Sequence, residues 1–197
     1  SLLKLINEIL DLSRIESGRM ELFTGKVSLK SMLTDIRENM LPLAKEKDIS
    51  IELDIGDQLP HIETDEIRMQ QVLTNLVNNA VKFTEKGKIS ISARSENNEA
   101  VIRIEDTGVG IPEESLNNIF DEFRQLDGSA SRQYDGTGLG LAIVKKIVSL
   151  LHGRISVKST PGSGTVFVIS FPLKWEDNEE EKEIISGTEG ELPESPV

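Results

Sequence analysis

The sequence predicts an α/β domain, a two-layer sandwich in which one mixed sheet carries helices on one face, preceded by a bundle helix. Three observations predict it. Apolar residues alternate with polar ones in several short runs, as half-buried strands require. Helix-period apolar stripes are interleaved with those runs, and turn-like Gly and Pro positions join the later strands closely enough for hairpins.

The first helix covers residues 1–16, where Leu2, Leu5, Ile9 and Leu12 recur at three- and four-residue spacing, flanked by Leu3, Ile6 and Leu10. So wide a stripe suits a helix bundle or, alternatively, an ordinary surface helix. Ser17-Gly18 ends or loosens it. An extended segment near 21–27 leads to a helix over 28–46 with Leu29, Met32, Leu33, Ile36, Met40 and Leu43 inward, which Pro42 kinks or ends. Ile49, Ile51, Leu53 and Ile55 alternate as a strand closed by Pro60. A third helix spans about 65–83, with Asp65 as its N-cap. Strands follow at 88–95 and 100–106. A polar, Gly-rich stretch over 107–138 holds one helical piece near 114–120. A long apolar helix at 138–151 precedes strands at 154–159 and 164–171.

Bulk properties narrow the class. The chain has 197 residues, 37% of them hydrophobic, and no cysteine, so disulfides and thiolate metal sites are excluded. The net charge of −12 is concentrated in residues 176–197, where nine acids and one Lys leave −8. The remainder is close to neutral, which argues against a nucleic-acid partner. No apolar run reaches bilayer length. A chain that opens at Ser1 in mid-helix, without Met, reads as a piece of a longer one. The organisation expected is a helical segment over 1–20, a globular α/β domain over 21–174, and an acidic linker or tail over 175–197.

The helix at 65–83 carries the chemistry. On a wheel at about 100° per residue, Met69, Val72, Leu73, Leu76, Val77 and Ala80 share one arc, and Gln71, Asn75, Asn78, Asn79 and Lys82 the other. Asn is a poor interior helix residue because its amide competes with the backbone, so three within five positions point to a role. An amide oxygen suits Mg²⁺, and a nearby Lys suits phosphate. A tolerated polar surface is the plainer alternative.

Three glycine turns follow. Asp106-Thr107-Gly108-Val109-Gly110-Ile111 leaves a strand, placing a carboxylate where it can accept from an exocyclic amine. Gly136-Thr137-Gly138-Leu139-Gly140-Leu141 opens a helix whose N–H groups can meet phosphate. Pro161-Gly162-Ser163-Gly164-Thr165 reads as a hairpin turn. The P-loop and the eukaryotic protein-kinase motifs are missing. Phe120 and Phe123, within the polar stretch, either anchor a lid or pack in the core.

In order and spacing these pieces resemble the ATP-binding domain of sensor histidine kinases. Asn75-Leu-Val-Asn-Asn79-Ala-Val-Lys82-Phe83 is similar to its N box, and Asp106–Ile111 to its G1 box. Ile119-Phe120-Asp-Glu-Phe123 is similar to the F box, Gly136–Leu141 to the G2 box, and Gly162-Ser-Gly164-Thr165 to the last glycine turn. The stretch 2–20 resembles the end of the dimerisation and phosphotransfer domain. The resemblance spans about residues 1–173 and implies the Bergerat fold of gyrase, Hsp90 and MutL, with ATP and Mg²⁺ as cofactors. It implies Asn79 as Mg²⁺ ligand supported by Asn75, Lys82 on phosphate, and Phe83 beside the nucleotide. Asp106 would accept from the adenine amine with Thr165 assisting through water, and Gly108, Gly110 and Ile111 would shape the base pocket. Gly136, Thr137, Gly138, Leu139, Gly140 and Leu141 would form the hinge and phosphate end of the lid, with Phe120 at its base.

It further implies a phosphoacceptor histidine helix in the parent kinase, homodimerisation through the N-terminal helix, a response-regulator receiver partner and a cytoplasmic site. Whether the parent is anchored in the inner membrane stays open. Only His61 and His152 are present, neither in a phosphoacceptor context. Gln125 stands where some branches carry Arg, which leaves Arg124 or Arg132 to meet the γ-phosphate. The competing readings are an ATPase of the gyrase or Hsp90 type and a nucleotide-binding regulator. Against the first, Asn75 stands where those relatives carry a Glu, and an amide cannot act as a general base.

Overall fold

The computed structural model describes residues 2–56, 59–124 and 137–175. Its elements run α1 Leu2–Glu16, β1 Thr24–Val27, α2 Leu29–Glu46, β2 Ile49–Ile55, β3 Ile62–Asp65, α3 Glu66–Phe83, β4 Gly87–Glu96, β5 Glu99–Asp106, α4 Glu113–Leu116, α5 Gly140–Leu150, β6 Arg154–Thr160 and β7 Gly164–Pro172. Five strands form one mixed sheet in the order β2-β4-β5-β7-β6. Only β2 and β4 pair in parallel; the other neighbours are antiparallel.

Strand alternation decides the layers. Ile89, Ile91 and Ala93 of β4, Ala100, Ile102 and Ile104 of β5, and Phe167, Ile169 and Phe171 of β7 are buried. Between them Ser90, Ser92, Arg94, Arg103 and Glu105 face away and stay partly or fully accessible. Helices α2, α3 and α5 supply the matching apolar faces, including Leu33, Ile36, Met69, Leu73, Leu76, Ile143 and Ile147, all in one core with the strands. The predicted sandwich with helices on one face is the observed architecture.

Local signals set the helix starts. The Ser28 hydroxyl accepts from Ser31 N–H at 3.3 Å to cap α2. Asp65 caps α3 by accepting from Arg68 N–H at 2.9 Å, and its second oxygen accepts from Phe23 N–H at 2.8 Å, so one carboxylate also holds the chain ahead of β1.

Three details differ from the sequence reading, and a fourth concerns a helix it left open. The segment after Pro60 is a strand, β3, paired antiparallel with β1 from Val27↔Ile62 to Thr24↔Asp65. Helix α2 runs through Pro42 to Glu46, and Ala44 is inward while Leu43 is 49% exposed. The helical piece near 114–120 is only the four-residue α4, followed by turns. Helix α1 turns Leu12 into the core but leaves Leu2, Leu3, Ile6, Ile9 and Leu10 exposed. No helix among the described residues is long and apolar enough to cross a membrane.

Candidate functional site

Helix α3 divides as its wheel requires. Met69, Val72, Leu73, Leu76, Val77, Ala80 and Val81 are buried against the sheet. On the polar side Asn75, Asn79 and Lys82 are half-buried and Asn78 is exposed. Asn79 Nδ2 donates to Asn75 Oδ1 at 3.2 Å, one turn apart. That bond turns Asn79 Oδ1 away as a remaining acceptor. Gly140, the first residue of α5, sits against this pair: a Cβ there would stand 2.9 Å from Asn75 Nδ2. The start of α5, whose early N–H groups lack helical partners, therefore abuts the two amides.

Gln71 keeps its place on the polar arc but serves a different contact. Its Nε2 donates to Asp11 Oδ2 at 2.8 Å, and Arg68 pairs with Asp11 at 3.4 Å, so this part of α3 docks α1. Two further links join α1 to the C-terminal half of the domain: Thr137 Oγ1 donates to Glu8 at 2.5 Å, and Lys146 pairs with Glu16 at 2.7 Å.

The end of β5 carries the second half of the site. Asp106 is 8% exposed, and its Oδ1 accepts from Gly108 N–H at 2.8 Å and Thr165 N–H at 3.3 Å. Its Oδ2 accepts none of the described hydrogen bonds. Burial raises the Asp106 pKa above its ordinary value, opposed by the two backbone N–H donors and reinforced by the charge of Glu105. Gly108 lies so close to the end of α3 that a Cβ would collide with Phe83 O, the carbonyl that accepts from Val109 N–H at 3.2 Å. Gly110, with φ +70, packs on Thr160, and Gly162 N–H donates to Val109 O at 2.8 Å. Ile111 N–H donates to Ser159 Oγ at 2.8 Å. These contacts draw the end of α3, the 106–111 loop and the β6–β7 turn into one cluster.

The remaining predicted residues fall around it. Lys82 Nζ lies 4.9 Å from the Phe83 ring centroid. Thr137 Oγ1 accepts from Leu139 N–H at 3.3 Å, Leu139 is fully buried, and Leu141 is half-buried. Gly138 packs against the backbone of Phe123 and Arg124. Phe120 makes an edge contact with Phe167 at 6.5 Å, with Lys145 Nζ 5.5 Å from its ring, whereas Phe123 is 64% exposed. The two rings thus part company, one at the core edge and one in solvent. Gly136, Gln125 and Arg132 lie outside the described residues.

Two contributors were not read from the sequence. One is Ser159. The other is Lys47 at the end of α2, whose Nζ donates to Val81 O and Lys82 O at 2.9 Å each and to Thr84 O at 3.2 Å. A cation on the last carbonyls of a helix opposes its dipole. Lys47→Met should lower stability by ~2 kcal/mol, the loss of charge-assisted bonds, and the melting temperature by about 4–8 °C. An unchanged thermal melt would remove Lys47 from this role.

The histidines stand apart. His152 follows α5 with φ 55 and lies 4.7 Å from the Trp175 ring. His61 lines a cleft of about 540 Å³ with Lys26, Pro60, Glu63, Leu173 and Lys174, remote in sequence from every glycine loop.

With the geometry in place, comparison with known proteins decides the family. Residues 64–174 match the family described as histidine kinase-, DNA gyrase B- and HSP90-like ATPase. The chain belongs to this family. The matched segment takes in α3, the span of the three glycine turns and four of the five strands of the sheet, β4 to β7. The chain is 40% identical over 190 residues to the autoinducer 2 sensor kinase/phosphatase LuxQ of Vibrio vulnificus, covering 92% of this chain and 22% of that protein. It is also 40% identical over 173 residues to the sensor histidine kinase RcsC of Escherichia coli, covering 87% of this chain and 18% of that one. The chain therefore spans about a fifth of the length of these relatives. Among solved structures, full-length ShkA in complex with AMPPNP superposes with a TM-score of 0.79 at 34% identity, covering 87% of this chain and 35% of that one. Family members of known structure thus share this α/β fold.

Proposed function

We propose that this chain is the ATP-binding catalytic domain of a two-component sensor histidine kinase, presenting Mg-ATP to a phosphoacceptor histidine outside the chain. The observation that carries the reading is the Asn75–Asn79 amide pair against the first turn of α5. Asn79 Oδ1 is a neutral, hard donor, and no cluster of three or more His, Cys, Asp or Glu side chains able to hold a metal occurs among the described residues. One amide oxygen suits Mg²⁺, which keeps waters and takes further oxygens from phosphates. When bound, the ion supplies neutralisation of the phosphate charge. Asn75 orients Asn79, Lys82 adds a cation for the phosphates, and the N–H groups at the start of α5 offer donors to them. Asp106 Oδ2 accepts from the base amine, with Thr165 beside it, and Phe83, Gly108, Gly110 and Ile111 shape the base end. Gly136, Thr137, Gly138, Leu139 and Leu141, with Phe120, belong to the lid side, and Arg124 or Arg132 meets the γ-phosphate.

Phosphoryl transfer asks mainly for positioning and charge stabilisation, which such groups can give without a base. Hydrolysis needs a group that activates water, and the amide of Asn75 cannot do so. That favours the kinase reading over the ATPase reading. The N-terminal helix, with its exposed Leu2, Leu3, Ile6, Ile9 and Leu10, suits a dimerising bundle in the parent, and a receiver domain is the downstream partner. A domain that draws on ATP in this way works in the cytoplasm.

Calorimetry should detect Mg-ATP binding, and Asn79→Asp, which sets a carboxylate beside the phosphates, should weaken it about tenfold, or ~1.4 kcal/mol. The chain alone, given γ-labelled ATP, should acquire no acid-labile phosphohistidine. Unchanged affinity in the variant would remove Asn79 from the site, and phosphohistidine on this chain would overturn the external acceptor.

A further inference from the structure

We propose that Ser159 is a positioning residue that fixes the hydrogen-bonding polarity of the base end of the pocket, committing the Thr165 hydroxyl to act as an acceptor toward the ligand. This rests on the assignment of Asp106 to the base amine and extends it to selection among purines.

Proton counting carries the inference. A hydroxyl has one proton and two lone pairs. Among the described residues Ser159 Oγ has three polar neighbours: Ile111 N–H at 2.8 Å, Gly164 O at 2.8 Å and Thr165 Oγ1 at 2.9 Å. The amide can only donate and the carbonyl can only accept. The single Ser159 proton is therefore spent on Gly164 O, and a lone pair is spent on Ile111. The third contact must then be a bond in which Thr165 donates and Ser159 accepts. With its own proton so engaged, Thr165 Oγ1 has only lone pairs left. Its backbone N–H is held by Asp106 Oδ1 at 3.3 Å, and the two residues pair across β5 and β7, so Thr165 adjoins the carboxylate whose Oδ2 accepts none of the described hydrogen bonds. Thr165 and Asp106 are only 6% and 8% exposed, so a mismatched polar group there would not be relieved by bulk water.

Asp106 Oδ2 and Thr165 Oγ1 thus offer two acceptors, and neither offers a donor. Their complement is a purine edge bearing an exocyclic amine, directly or through a water that donates to both oxygens. A purine with a carbonyl at that position, as in hypoxanthine, would turn an acceptor toward two acceptors. Removal of Ser159 frees the Thr165 proton to rotate toward the ligand, and Thr165 becomes able to donate.

Ser159 also fastens the 106–111 loop to the β6–β7 turn, so a loss of affinity alone would not separate the two roles. A double-mutant cycle does. Calorimetric Kd values for Mg-ATP and Mg-ITP are to be measured in the wild type, Ser159→Ala, Thr165→Val and the double variant. The expected wild type prefers ATP. Ser159→Ala should reduce the ATP-to-ITP preference about tenfold, the worth of one hydrogen bond, and should reduce it no further in the Thr165→Val background. Ser159→Cys, which fills the same space with a weakly bonding thiol, should repeat the shift and serves if the alanine variant unfolds. Equal weakening of both nucleotides by Ser159→Ala, or the same loss of preference in the Thr165→Val background, overturns the proposal and leaves the Asp106 assignment standing. Equal wild-type affinity for ATP and ITP overturns both.

Discussion

Asp106→Asn should raise the Kd for Mg-ATP about 100-fold, close to the upper range for a hydrogen bond to a charged group, while the fold survives. The asparagine oxygen can still accept from Gly108 and Thr165 N–H, the two bonds now made by Oδ1. What changes is the second position, where an acceptor free of the described hydrogen bonds becomes an NH₂ donor, which on the proposed assignment would face the base amine. Asp106→Ala removes both functions and should lose affinity and stability together. Calorimetry with a thermal melt of each variant separates the effects, and unchanged affinity in Asp106→Asn would sink the base-end assignment. The same residue predicts a pH dependence. Burial raises its folded pKa above the unfolded value, so between the two the native state binds the extra proton. Its contribution to stability therefore falls as pH rises through that window. On the proposed assignment the ionised carboxylate is the acceptor, so nucleotide affinity moves the other way and should weaken as pH falls through the raised pKa.

The parts of this molecule legible in the sequence are those fixed by local periodicity. The buried and polar arcs of α3, the alternation in β2, β4, β5, β6 and β7, and the Asp65 cap follow from spacing that a wheel or a pleat translates directly. What escaped depends on partners distant in the chain. Four residues after Pro60 are too few to display alternation, and they become a strand only because β1 lies alongside. Gln71 shares an arc with Asn75, yet Asp11 of α1 claims it. Leu43 and Ala44 are neighbours in the chain but about 100° apart on the wheel, and it is Ala44, one turn after the buried Met40, that continues the inward stripe of α2. Within the site, Asp106, the Asn residues and the glycines announced themselves because such residue types are unusual at those places. Lys47 and Ser159 are ordinary residues at the ends of a helix and a strand. Their importance lies in the carbonyls and amides they meet, which no sequence pattern displays.

Gly164→Ala should be the most destabilising of these substitutions, about 4 kcal/mol, because it combines backbone strain with a clash in the sheet interior. Gly164 has φ +111 and opens β7, the strand between β5 and β6. A Cβ would collide with Asp106 O and stand 2.8 Å from the Asp106 carbonyl carbon and 2.9 Å from Thr107 Cα. All three are backbone atoms, so no side chain can swing aside. Relief requires β7 to move from β5 where Asp106 pairs with Thr165, and where Gly164 O receives the Ser159 hydroxyl. The variant should accordingly lose nucleotide affinity along with stability. Gly162 is the internal control. It has φ +74 in the same turn, but nothing lies within 4 Å of a Cβ there, so Gly162→Ala carries only left-handed strain, about 1–2 kcal/mol. Urea unfolding of the two variants tests the contrast. Equal losses would mean that the turn's backbone conformation sets the cost. A much larger loss at Gly164 would place it in the contact that joins the β6–β7 hairpin to the carboxylate at the end of β5.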